Sequence, residues 1–418
     1  MIPSVFFWCG VDADQEIRRR IGEHGRITFA EFMEVAQFWP RGGYYSVPGN
    51  IGPTGDFYTA PTAHPAFGAL LCVQVFQMWR LLGRPPTFWV VEMGASSGLL
   101  CRDIVEYSLH LPEGFGDSLR YVCLDRFPSR DPEAEWPADL AGKVETLAAV
   151  GMPMRGITGC FLSNELIDSF HVHRVTAQEG ALKEVYVTLE GEDLVEVVDH
   201  PSTPELEERL DSLGLVLPDG AQAEINVAIR PWLEQVSSAL DSGFLLTVDY
   251  GHTAAELYSQ ARRRGTLTGF RKHAQTDSLY RSIGKQDMTA HVDFTSLEKL
   301  GRSLGLEVLG FNTQGEFLYN LGLGSFLGSL RASGLKQREV ESNRLGMIDI
   351  IRPGGMGAFK VLVCCKGVGS PSLWGFERSP ELEEMLEELP VPLLTPRHMP
   401  LLEGRYPHRA VDWEEMLK

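Results

Sequence analysis

Residues 92–98 read Glu-Met-Gly-Ala-Ser-Ser-Gly, a carboxylate followed by a turn of small residues. Glycine lets a backbone approach a ligand with no Cβ in the way, so Gly94 and Gly98 mark a turn suited to a nucleotide-like group. A dinucleotide site favours Gly-x-Gly-x-x-Gly, and the third glycine is missing here. Asp125 ends the next apolar run, where a carboxylate can accept from both ribose hydroxyls of an adenosyl group. Its distance from Gly94 exceeds the roughly 20 residues usual for such a pair, which implies an extended connection. Asn164 and Glu165 follow a third run, Asp168 lies just beyond, and Asp249 ends a fourth. Carboxylates at strand ends can bind a guanidinium, orient its lone pair and draw off its charge. A hydroxyl acceptor would need a general base instead, for which His291 or His171 is available. The plainer alternatives are helix caps for the carboxylates and structural roles for the histidines.

Such residues need a scaffold that brings strand ends together. The run 88–93 is apolar and β-rich, the small-residue turn follows, and 99–109 has the apolar spacing of a helix. Strand, tight turn, helix opens a nucleotide-binding βαβ unit. Runs at 119–125, 157–163, 244–250, 307–312 and 360–366 supply further strands, so an α/β, doubly wound, Rossmann-like sheet is predicted. Between about 171 and 222, alternating runs punctuated by Gly180 and Gly191 predict an antiparallel insertion. Residues 252–292 read as a polar, basic excursion outside the core, and 294–304 as a helix capped by Asp293. Upstream, 12–40 predicts two helices, the second capped by Thr28. A long Gly-, Pro- and Tyr-rich loop follows at 41–65, then an amphipathic helix at 66–82. The Pro- and Glu-rich stretch 367–418, with one short acidic helix, predicts an appendage wrapped on the surface. The domain plan is an N-terminal helical segment with a covering loop (1–83), the doubly wound domain with insertion and excursion (84–366), and a C-terminal extension (367–418).

The formal charge is −18, from 38 Lys and Arg against 56 Asp and Glu. Phosphate binding needs a basic footprint, so nucleic acid and anionic membrane surfaces are excluded as main partners. No apolar run approaches the roughly 18 residues of a membrane span, so no membrane insertion is expected. Seven scattered cysteines form no Cys-x-x-Cys and no ligand spacing, so no metal is expected and a reducing compartment is. The apolar start, MIPSVFFWCG, lacks a basic leader and a cleavage site. A cytoplasmic protein is expected.

The pattern acidic-x-Gly-x-Gly-x-Gly is that of S-adenosylmethionine (SAM) sites, and residues 92–98 depart from it only at Ser96. Further segments resemble one family in its own order: ITFAEFMEVA, RGGYYS, GDFYTAP, WVVEMGASSG, SNELIDSF, LLTVDYGH, GTLTGFRKH, DMTAHVDFTSL, TQGEFLYNLGL and GGMGAFKVL. Over about residues 17–366 the chain resembles the MidA-type methyltransferases, bacterial and mitochondrial. The resemblance implies a class I SAM-methyltransferase sheet of seven strands with an N-terminal helical segment and insertions, and SAM as cofactor. It maps the cofactor site onto Glu92, Gly94, Ser96 and Gly98, the ribose carboxylate onto Asp125, the post-strand pair onto Asn164 and Glu165, and a covering loop onto Asp56 and Phe57. A mitochondrial member methylates an arginine in a complex I subunit, which implies a protein acceptor, a respiratory-complex subunit among the candidates. Glu165, Asp168 and His291 are the candidate catalytic residues, and a bacterial, homodimeric protein is a further expectation.

Two departures keep other readings open. The family turn is Glu-Leu-Gly-Pro-Gly-Arg-Gly, where this chain has Ala95, Ser96 and Ser97. After the Gly-Asp-Phe loop the family has Ser-Pro-Glu-Ile-Ser, where this chain has Ala60, Pro61, Thr62, Ala63 and His64. The leading expectation is methyl transfer to a protein side chain, arginine first. The alternatives are a small-molecule acceptor, or a binding factor that keeps the fold without the reaction.

Overall fold

The computed structural model describes residues 10–47, 58–128, 140, 142–271, 274–276 and 278–398. They fall into two compact units, each discontinuous in sequence. One draws on residues 57–166, 232–250 and 298–418, the other on 1–56, 167–231 and 251–297. This division crosses the boundaries drawn from the sequence at 83 and 366.

The first unit is built on seven strands: β1 (Phe88–Met93), β2 (Leu119–Asp125), β3 (Val144–Ala148), β4 (Ile157–Asn164), β5 (Leu240–Asp249), β6 (Glu307–Thr313) and β7 (Lys360–Lys366). Their order is β6-β7-β5-β4-β1-β2-β3. The five strands β3, β2, β1, β4 and β5 run parallel, and β7 is antiparallel to both neighbours. Central parallel strands are covered on both faces, which is why β1, β4 and β5 read as near-continuous apolar runs. The chain leaves β1 toward β2 on one side and returns to β4 on the other. That reversal opens a crevice at the carboxyl ends, where ligands of open α/β sheets bind. The edge strand β3 had no counterpart in the sequence reading, because its five residues are exposed or half-exposed and show no alternation.

Helix α1 (Ala66–Leu81) packs against α2 (Leu99–Ser108). The expected amphipathic helix is instead buried all round from Ala66 to Trp79. Its second cover is the described part of the C-terminal extension, which is core rather than appendage. Leu373, Trp374, Leu382, Leu386 and Leu389 join the same apolar cluster as Phe67, Leu70 and Phe76. Buried glutamines on α1 fasten the connection: Gln77 Oε1 accepts from the Trp374 N–H at 2.8 Å, and Gln74 Oε1 from the Gly375 N–H at 2.9 Å. The acidic composition concealed this, since only every third or fourth residue of the helix Pro380–Glu388 faces inward.

In the second unit, helices Ala13–His24 and Phe29–Phe38 begin at capping boxes on Asp12 and Thr28. The expected antiparallel insertion is present. Strand Ala181–Glu190 pairs with His173–Gln178, Asp193–Asp199 and Ile27–Thr28, and His173–Gln178 also pairs with Gln222–Ile225. The excursion 252–292 is not outside the core. It forms a three-stranded antiparallel sheet (Thr268–Arg271, Ala274–Thr276, Asp287–Thr289) and contributes Leu279, Met288 and Ala290 to the cluster that holds Phe29, Phe32 and Met33. Few apolar residues among many polar ones were enough, because each is buried.

Candidate active site

The register aligns the strand ends. Met93 lies opposite Leu124 on one side and Ser163 on the other, and Val248 lies opposite Asn164. Gly94, Asp125, Asn164, Glu165 and Asp249 therefore meet at one sheet edge, at the switch point. Gly94 has φ +76° and donates its N–H to Leu124 at 2.8 Å. A Cβ there would stand 2.8 Å from Leu166 Cδ1, the movable end of a side chain, so it is the conformation that calls for glycine. Ser96, the residue in place of the middle glycine, also takes the left-handed region, at φ +49°. Its N–H donates to Asp125 Oδ2 at 3.0 Å, while Asp125 Oδ1 accepts from the Phe127 N–H at 2.8 Å. Gly98, at φ +74°, precedes α2. The turn thus keeps a glycine-like path with a serine in it.

Glu92 does not face the crevice as a solvated carboxylate. It is 4% exposed, and its Oε2 accepts from Tyr121 Oη at 2.8 Å. Burial, with a smaller push from Asp125 and Asp103, raises its carboxyl to about 8 against the pull of the Tyr121 hydrogen bond. Tyr121 was missed in the sequence; a tyrosine four residues before the strand-end aspartate was the available signal. At β4 the Asn164 Nδ2 donates to Glu165 Oε1 at 3.3 Å, and the buried Asn164 Oδ1 has no hydrogen-bond partner. Glu165 is held at φ +47°. Asp249 is fully buried and accepts from the Leu166 N–H at 3.2 Å and the Tyr250 N–H at 2.9 Å.

Asp168 and His291 belong to the second unit. Asp168 is buried, and its carbonyl accepts from the Ala290 N–H at 3.0 Å. The His291 ring lies 5.2 Å from that of His252, which contacts Arg262 at 2.9 Å. Burial first, then His252 and Arg262, pull His291 down to about 4, so it is neutral at pH 7 and a weak base. His171 faces Glu34 at 3.0 Å. Asp56 and Phe57 lie outside the described residues.

The family described as "Putative S-adenosyl-L-methionine-dependent methyltransferase" matches residues 70–312, more than half of the chain. The chain belongs to this methyltransferase family. It is 27% identical to protein arginine methyltransferase NDUFAF7, mitochondrial, of Danio rerio over 369 residues, 80% of this chain and 84% of the relative. It is 27% identical to the Drosophila melanogaster homolog over 387 residues, 85% of each chain. A crystal structure from Burkholderia thailandensis bound to S-adenosyl-homocysteine is 26% identical and superposes with a TM-score of 0.77, covering 88% of this chain and 95% of that one. The methyltransferase is of the MidA type and its cofactor is SAM.

The residues at the sheet edge fit that cofactor. Gly94 and Gly98 leave the two ends of the turn without side chains, and near Gly98 a Cβ would meet only Cys123 Sγ, at 4.0 Å. Each Asp125 oxygen takes a single amide N–H, which leaves lone pairs for a ribose diol. The orphaned Asn164 Oδ1 is an acceptor suited to an ammonium donor. Ten-residue α2, starting at the turn, adds a partial positive charge suited to a carboxylate. SAM, when bound, supplies an electrophilic methyl group for in-line attack. Among the described residues no helix is long and apolar enough to cross a membrane.

Proposed function

We propose that this methyltransferase transfers the methyl group to a protein side chain, arginine, and that Glu165 binds the acceptor. The observation that carries the reading is a carboxylate held in a constrained backbone conformation at the switch point, beside the residues suited to SAM. Its support from relatives is the name of the curated proteins it resembles, protein arginine methyltransferases.

The chemistry asks little covalent work of the protein. A guanidinium nitrogen is a poor nucleophile while its lone pair is delocalised, and a carboxylate that binds two of its N–H groups fixes the orientation and favours localisation. Glu165 supplies that anion. After transfer the extra proton must leave, for which a carboxylate acts as acceptor or relay to water. Gly94, Ser96 and Gly98 position the cofactor, Asp125 takes the ribose hydroxyls, and Asn164 takes the amino end. Asp168 and His291 remain candidates from the sequence; the low basicity of His291 does not favour a hydroxyl acceptor.

The test is incubation of the full-length protein with methyl-tritiated SAM and host lysate, followed by acid hydrolysis of the labelled protein. Label in methylarginine is expected. Label only in a small-molecule filtrate would replace the acceptor class, and SAM binding without any transfer would sink the reading.

A further inference from the structure

Glu165 follows β4 at φ +47°, a region that glycine and asparagine occupy far more readily than glutamate. Strain of this kind persists only where the surroundings over-determine it, and it collects at working sites. Here the restraint can be named, and it comes from the end of β5. The Glu165 N–H donates to the Val248 carbonyl at 2.8 Å, and the next amide, that of Leu166, donates to Asp249 Oδ2 at 3.2 Å. Asp249 Oδ1 is itself fixed by the Tyr250 N–H at 2.9 Å. On its other side Leu166 abuts the cofactor turn, with Cδ1 2.8 Å from the Cβ position of Gly94. A fully buried carboxylate thus ties the turn after β4 to the neighbouring strand and lays it against the glycine turn after β1.

We propose that Asp249 is a positioning residue of the methyltransferase. By holding the Leu166 amide it keeps Glu165 in its left-handed conformation, and with it the carboxylate presented to the acceptor. The part played by Glu165 rests on the function proposed above, whereas the backbone restraint does not. A merely structural pair would behave differently. Relief of the strain would then stabilise the protein and leave transfer intact.

Four full-length proteins decide between these: wild type, E165G, D249N, and D249S in case the asparagine variant does not fold. Glycine adopts the turn freely but removes the carboxylate. Asparagine offers one oxygen to the two amides that Asp249 serves. Transfer is counted as all label leaving methyl-tritiated SAM, whether into protein or filtrate, well below the melting temperature. E165G is expected to melt about 2 °C higher, bind SAM within about threefold of wild type by calorimetry, and lose transfer by about 100-fold. D249N is expected to lose transfer by about tenfold, in kcat rather than in SAM affinity, with amide exchange at Leu166 faster by about tenfold. Wild-type transfer in either variant overturns the proposal. If wild type moves no label at all, the proposed function fails separately, and exchange decides alone. Faster exchange confined to the Leu166 peptide in D249N then supports the restraint, and unchanged exchange overturns it.

Discussion

Glu92→Gln gives the sharpest test of the electrostatics at the end of β1. Glu92 is 4% exposed, and burial pushes its carboxyl from 4.5 up to about 8. Asp125 and Asp103 add to the rise, while the hydrogen bond from Tyr121 opposes it. A folded-state value above the unfolded one means that the folded protein keeps a proton that the unfolded chain releases. The stability from this group is fully present below pH 4.5 and is lost as pH rises through about 8. Between the two values the slope is about −1.4 kcal/mol per pH unit, which sums to about 3 kcal/mol from pH 5.5 to 8.5. Glutamine does not titrate and can still accept from Tyr121 Oη. Urea unfolding of wild type and variant, without SAM and in matched buffers at both pH values, isolates the term because all other titrations are shared. The difference in unfolding free energy should move by about 3 kcal/mol in favour of the variant as pH rises. A difference constant to within about 0.5 kcal/mol would show that Glu92 is ionised throughout and that the burial argument is wrong.

Other outcomes follow from the same site and its supports. Gly94→Val puts a branched side chain at φ +76° against Leu166 Cδ1, so SAM binding by calorimetry should fall by about 100-fold and stability by about 2–4 kcal/mol. Ser96→Gly relieves a left-handed serine while keeping the amide that reaches Asp125, so thermal unfolding should show a gain of about 1 kcal/mol with SAM affinity unchanged. Ser96→Pro removes that amide and forbids the conformation, and should abolish SAM binding. His398→Ala strips the buried Asp103 carboxyl of a partner at 3.2 Å, where the two side chains are 1% and 6% exposed. Denaturant unfolding should show a loss of about 3 kcal/mol, and an unchanged midpoint would mean the C-terminal extension is not fastened there.

The chemistry at the strand ends was legible in the sequence because parallel strands are buried on both faces. Apolar runs that close on Glu92, Asp125, Asn164 and Asp249 put polar groups where ligands of such sheets bind, although helix capping was an alternative reading for each carboxylate. The turn at Ser96 was harder to read, since glycine patterns encode a backbone path and serine can follow the same path when its amide is held. What failed to show were features that depend on partners distant in sequence. The Pro- and Glu-rich extension looked like surface until Gln74 and Gln77 supplied acceptors for Trp374 and Gly375. The excursion at 252–292 looked polar because only a few of its residues, Met288 and Ala290 among them, carry its share of the core. The edge strand β3 had no periodicity to betray it. Nor can spacing reveal that Asp168 and His291 fall in a different compact unit from Glu165.

The two left-handed residues at the sheet edge bear on whether this site has lost its reaction. Ser96 and Glu165 flank the switch point at φ +49° and +47°, and each turn is tied by an aspartate that ends a neighbouring strand. Asp125 of β2 takes the Ser96 amide, and Asp249 of β5 takes the amide that follows Glu165. Like Ser96 and Glu165, the other left-handed residues besides glycine among those described, Arg84, Glu113, Glu179 and Ser282, lie in connections between elements. At the sheet edge the bend could be made more cheaply with glycine, as it is at Gly94 and Gly98. A protein that only needed the fold would gain stability from Glu165→Gly by a single substitution, and the buried carboxylate of Asp249 would become an avoidable desolvation cost. A left-handed glutamate and a buried anion that holds its turn together suit a carboxylate presented to an acceptor.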